Sequence, residues 1–314
     1  MRRIAIVLAA VLQFIVIGPA MAGDTIFLNA TVITMDEAGV IARANVHVSG
    51  GRIVAVEPDL LVDMKSDTVL VDATGKFLIP GLAEMHGHLP FAGAGRQAAE
   101  DTLFLYVARG VTTVRGMLGN PVQFELRAEI NAGTIAGPNL YLAAPSLNGN
   151  SVTSPAQAKR LVIKYHGQGW DLQKIHPGLS LAEYDAAFDA ADALDFPVGG
   201  HVPSDVPLPH AIERGQISVD HLDGFLRWLD GANRPLTEAD LQKAVDLVKD
   251  TGVWLVPTQA LFNLFLEGGD YNELKVREEL RYVTPTTRNN WRRRLATLQI
   301  NQLAAQNRQK LLKA

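Results

Sequence analysis

The residues that could do chemistry are histidines. There are eight, at 47, 86, 88, 166, 176, 201, 210 and 221, and there is no cysteine. Without cysteine, thiolate metal sites, disulfides and cysteine nucleophiles are excluded. A metal would have to be held by His, carboxylate or a modified Lys. His86 and His88 form an H-x-H pair in Pro80-Gly81-Leu82-Ala83-Glu84-Met85-His86-Gly87-His88. In extended chain, residues i and i+2 point the same way, so both imidazoles can face one ion. His201 ends Gly199-Gly200-His201 and His221 ends Val219-Asp220-His221, each directly after a predicted strand.

Those residues need a frame to bring them together. Residues 24–76 are β-rich, with runs at 25–28, 31–35, 44–49, 52–56 and 68–72. Gly50-Gly51 sits between two of them as a hairpin turn. From residue 76 onward, strands alternate with amphipathic helices. Strands are predicted at Phe77–Leu82, 111–115, 139–143, 171–175, 196–199, 216–220 and 253–257, each followed by a helical segment. Buried strands in repeated β-then-α units indicate a parallel sheet. Seven units exceed most open sheets and point to an α/β fold of the (β/α)8 TIM-barrel type, with its last strand missing. The glycines after the first strand do not form the G-x-G-x-x-G of an open dinucleotide-binding sheet.

On a barrel, the C-terminal strand ends form the active-site face. Four imidazoles at such ends make a case for a metal centre. Lys174 lies in the fourth barrel strand, in Asp171-Leu172-Gln173-Lys174-Ile175. A lone strand-end lysine ordinarily sends its head to solvent. Beside four histidines on neighbouring strands, a buried amine of lowered pKa is the better reading. Such an amine can react with carbon dioxide to give an anionic carbamate able to bridge two cations. His176, two residues on, is either a substrate-binding residue or a loop histidine ahead of Pro177. Glu84 is a solvated carboxylate or orients a ligand, and Asp220 and Asp223 flank His221, where one of them could orient an imidazole.

Composition agrees with a globular protein. The 314 residues are 47% hydrophobic and 20% charged, with a formal net charge of −4. That balance excludes a disordered chain and argues against nucleic-acid binding as the main role. Met1–Ala22 reads as a signal peptide: Arg2 and Arg3, an apolar run from Ile4 to Ile17, and Ala20-Met21-Ala22 before Gly23. The expected organisation is 1–22 signal peptide, 23–76 small β-sandwich domain and 77–314 incomplete barrel. The expected mature protein is exported, periplasmic in a host with two membranes, and free of a stable membrane anchor.

The sequence resembles the amidohydrolase superfamily of metal-dependent hydrolases, in the branch of imidazolonepropionases and prolidase-like dipeptidases. The likeness rests on Gly-Arg-Ile-Val-Ala-Val at 51–56, Ile79-Pro80-Gly81 ahead of His86 and His88, and Gly-Val-Thr-Thr-Val-Arg at 110–115. Lys174, His201 and His221 complete it. The resemblance implies two divalent metal ions, zinc by preference, with manganese, iron or cobalt compatible. His86 and His88 would bind the more buried ion, His201 and His221 the second, and carboxylated Lys174 would bridge them as a catalytic group. A hydroxide between the ions would attack an amide or related C–N bond of a small molecule, peptide or cyclic amide.

Two departures stand out. Relatives carry an aspartate at the end of strand eight, and this sequence reaches Ala314 without one. A C-terminally truncated chain, incomplete for catalysis, is therefore expected. Gly116 also stands where close relatives commonly carry an acidic residue. The competing functional readings are a mononuclear deaminase of the same superfamily, against which Lys174 speaks, and a non-catalytic metal-binding fragment.

Overall fold

The computed structural model describes residues 23–58, 67–90, 93, 95–266, 271–297 and 301–314. The expected signal peptide lies outside the described residues. The described residues divide into two compact units, 23–82 with Ala132–Thr134, and Ala83–Asn131 with Ile135–Ala314.

The first unit is one five-stranded sheet: β1 (Thr25–Ile33), β2 (Val40–Ser49), β3 (Arg52–Glu57), β4 (Val69–Asp72) and β5 (Phe77–Leu78). The order is β3-β2-β1-β4, and β5 also pairs with β1. Alternation places Ala30, Val32, Ala44 and Val46 on the buried face. The two runs expected at 25–28 and 31–35 are one strand. It is interrupted at Asn29, whose φ is +58° and whose N–H donates to Asn45 Oδ1 at 2.9 Å. Gly50 and Gly51 have φ of +57° and +75°, as a tight turn between β2 and β3 requires. A second layer that would make this sheet a sandwich is not among the described residues.

The predicted strand Phe77–Leu82 is corrected. Phe77–Leu78 joins the small sheet, so this unit runs beyond residue 76. Pro80 has no N–H for a ladder and separates it from β6 (Leu82–Gly87). His86 therefore lies within the first strand of the second unit and His88 just beyond it.

The second unit continues with α1 (Arg96–Ala108), β7 (Val111–Gly116), α2 (Val122–Asn131), β8 (Asn139–Leu142), α3 (Pro155–Gly167), β9 (Gln173–Ile175), α4 (Leu181–Asp192), β10 (Val198–Gly200), α5 (Leu208–Glu213), β11 (Ser218–Asp220), α6 (Phe225–Trp228), α7 (Glu238–Val248) and β12 (Trp254–Val256). After it come α8 (Gln259–Leu266), α9 (Tyr271–Leu274), α10 (Pro285–Ala296) and α11 (Gln302–Lys313). The helices start where local chemistry favours them. Ser180 with Glu183 and Thr237 with Asp240 form capping boxes, and Ser154 caps α3 ahead of Pro155. Their apolar faces, through Leu103, Leu126, Val162 and Phe188, share one core with Val114, Leu142, Val198 and Val219 of the strands.

The described strands of this unit form two sheet pieces, β6-β7-β8 and β9-β10-β11-β12. Parallel bridges Ala143↔Leu172 and Leu147↔Ile175 connect them just past β8. β7–β8 and the pairs among β9 to β12 are parallel. An eighth strand and pairing of β12 with β6 are not among the described residues. No described helix is long and apolar enough to cross a membrane.

Candidate metal centre

The strand ends bring the expected side chains together. Ring centroids are 5.4 Å apart for His86 and His88, 4.4 Å for His86 and His221, and 4.5 Å for His201 and His221. The residue inside the H-x-H pair has to be small, since a Cβ on Gly87 would lie 2.5 Å from Val114 Cγ1. Among the described residues, no three His, Asp or Glu side chains already close a shell around one point. The imidazoles are neighbours, without being drawn in as ligands.

The chemistry of the donors fits a divalent ion. His86 Nδ1 lies 2.8 Å from Asp220 Oδ2, and His201 Nδ1 lies 2.6 Å from Asp223 Oδ2. His221 Nδ1 lies 2.7 Å from Thr258 Oγ1, whose own hydrogen goes to the Pro257 carbonyl. A carboxylate can only accept, and the Thr258 hydrogen is committed, so each Nδ1 carries the proton. In the neutral imidazole, Nε2 is then the lone-pair nitrogen in all three rings. Metal-binding histidines typically have the far nitrogen held in this way. Burial, and then the neighbouring His86, lower the pKa of His88; the same two causes bring that of His221 to about 4. Both are neutral at pH 7, the form that ligates a metal.

Lys174 is completely buried, as are Ser218 and Asp220. Its Nζ donates to Asp220 Oδ2 at 2.9 Å. Burial pushes the lysine pKa down, and the Asp220 charge opposes that shift. For Asp220, burial would raise the pKa, but the hydrogen bond from His86 and the charge of Lys174 hold it below the usual carboxylate range. Gly200 makes room for the lysine. A Cβ there would lie 2.8 Å from Lys174 Cδ and 2.4 Å from the Ile175 carbonyl oxygen, at a φ of +126°.

His176 stacks on His201 at 4.8 Å, and burial brings its pKa to about 3. It borders an open cleft of about 580 Å³ whose lining includes Ser146, Asn148, Asn150 and Gly178. Glu84 Oε1 accepts from the His86 backbone N–H at 2.7 Å, which fixes the start of the H-x-H segment. His210 stands apart on α5, paired with Asp185 at 2.6 Å.

Five functional partners carry little or no signal in the sequence. Asp220 and Asp223 both orient imidazoles. Arg115 Nη2 reaches Asp220 Oδ1 at 3.2 Å, and Thr258 holds His221. Arg308 of α11 donates to the carbonyls of His221 and Pro257 and lies over the Phe262 ring. A signal existed for Asp220: in Ser218-Val219-Asp220 two polar residues share one face of a strand predicted to be buried. His221 and Thr258 have φ of +63° and +48°, and such strained backbone gathers at functional sites.

No protein-family model matches the chain. It is 24% identical to an imidazolonepropionase of Salmonella schwarzengrund over 265 residues, 64% of this chain and 65% of that protein. It is 28% identical to a dihydroorotase of a Thermoanaerobacter species over 174 residues, 52% of this chain and 39% of that protein. The chain thus spans less than two thirds of the length of these relatives. A solved bottromycin amidohydrolase matches with a TM-score of 0.65 at 20% identity, covering 91% of this chain and 63% of that one. A Xaa-Pro dipeptidase with bound methionine matches with a TM-score of 0.64 at 18% identity, covering 93% and 77%. At such identities the solved structures speak to the fold alone: they are TIM-barrel proteins, and this chain is α/β.

Proposed function

We propose, from the premise that this chain belongs to the amidohydrolase superfamily in its imidazolonepropionase- and prolidase-like branch, that it is an exported, binuclear metal-dependent hydrolase of amide and related C–N bonds. The observation that carries the proposal is the set of three histidines whose Nδ1 atoms are held by Asp220, Asp223 and Thr258. His86 and His88 would hold one ion and His201 and His221 the other. A divalent ion there would bring a bound water toward a pKa of about 7 and polarise a substrate carbonyl.

The chain's own residues do the rest. Asp220, Asp223 and Thr258 keep three imidazoles in one tautomer and one orientation. Burial keeps His88 and His221 neutral. Lys174 would act as a bridge after its neutral amine attacks the carbon of carbon dioxide. An N–C bond forms, one C=O π pair moves to oxygen, and the nitrogen proton leaves to solvent. The cleft beside His176 offers neutral polar groups to a small amide, dipeptide or cyclic amide.

A mononuclear centre is the second reading. It is favoured by the Lys174–Asp220 pair, since a lysine kept as an ammonium bridges nothing. Hydrolysis of dipeptide and cyclic-amide panels by the zinc-, manganese- and cobalt-loaded chain tests the proposal. Two divalent equivalents bound per chain are expected, with any turnover abolished by chelation and restored by metal. Turnover indifferent to chelator would overturn it. Export is tested separately by fractionation, where a chain beginning at Gly23 is expected outside the inner membrane.

A further inference from the structure

Arg115 is buried on β7, and its guanidinium has three partners. Nε donates to the Met85 carbonyl at 2.8 Å, Nη1 to Ser218 Oγ at 3.1 Å and Nη2 to Asp220 Oδ1 at 3.2 Å. Met85 is the residue directly before His86, on β6. Asp220 is on β11, and its other oxygen takes both His86 Nδ1 and Lys174 Nζ. One planar fork therefore grips the backbone that carries the H-x-H pair and the carboxylate that orients its first ring. A lysine, with a single point charge, cannot do this at the same spread of angles.

We infer that Arg115 is a positioning residue for the His86/His88 site. The role rests on the metal-binding proposal above. Asp220 has two cationic partners, Lys174 and Arg115, and no exposure to solvent. Its Oδ1 is held by Arg115 and its Oδ2 faces His86 Nδ1, so the fork fixes both the carboxylate that orients the His86 ring and the backbone directly before it.

The test compares the full chain with Arg115→Met and with Arg115→Lys, reading zinc affinity by chelator competition. In both variants one of two zinc equivalents should weaken by about 10- to 100-fold, the size of effect seen when a partner behind a ligand is lost, while the other keeps its affinity. Arg115→Lys keeps a cation beside Asp220 but not the fork, so it carries the test if Arg115→Met does not fold. Wild-type affinity for both equivalents in Arg115→Lys, or equal weakening of both, would overturn the role of Arg115. A wild-type chain that takes up no zinc would instead overturn the metal-binding proposal.

Discussion

Lys174 Nζ lies 2.9 Å from Asp220 Oδ2, and neither side chain is exposed to solvent. Charges so buried exist in a folded chain only when compensated. Asp220 is compensated by Lys174, Arg115 and His86 together, so it is the hub of the cluster.

Removing the hub should cost most. Asp220→Ala leaves Lys174 and Arg115 without their carboxylate, and breaking such a pair typically costs about 3–5 kcal/mol. Lys174→Met leaves Asp220 with Arg115 and should cost clearly less. Urea denaturation midpoints of the two variants check the order. Equal losses would show that Asp220 is not the hub.

Gly200→Ala should disturb Lys174 specifically. The new methyl would meet Lys174 Cδ and the Ile175 carbonyl at a positive φ. The backbone effect alone exceeds about 1 kcal/mol when alanine is placed at such a φ. A lower Tm together with weaker metal binding is expected. A lower Tm with unchanged metal binding would mean that the glycine serves the backbone only.

Thr258→Val keeps the shape near His221 and removes the hydroxyl on Nδ1. Loss of such a partner typically costs about 10- to 100-fold in metal affinity. Chelator competition on the zinc-loaded chain measures it. Asp223→Asn should act in the same direction through His201.

Asn307→Ala tests how α11 is attached. The buried Asn307 amide donates to the Gly231 and Arg234 carbonyls at 2.7 and 2.8 Å and accepts from the Leu236 N–H at 2.9 Å. Leaving those backbone groups unpaired should cost about 1–3 kcal/mol for each one that stays dry. Faster proteolysis within α11 at constant temperature is the expected readout.

Much of this site was legible in the sequence, because metal-type residues sat at the ends of predicted strands. His86, His88, His201 and His221 can be picked out by strand position, and Lys174 by its place among them. Arg115, Ser218 and Thr258 could not. An arginine at a strand end reads as solvated unless one knows that β11 faces it. A threonine after Pro257 reads as loop until its hydroxyl is seen on His221. The expected strand Phe77–Leu82 divides between two sheets, because Phe-Leu-Ile is apolar enough for either. Only the pairing of Thr31 with Phe77 and Val32 with Leu78 decides which.

The claim at the centre is that this histidine cluster holds divalent metal. Zinc content of the purified, reconstituted chain, measured by plasma mass spectrometry for wild type and for His201→Ala/His221→Ala, tests it most directly. Two equivalents falling to one are expected. A wild-type chain without tightly bound divalent metal, or two equivalents that survive loss of both histidines, would contradict it.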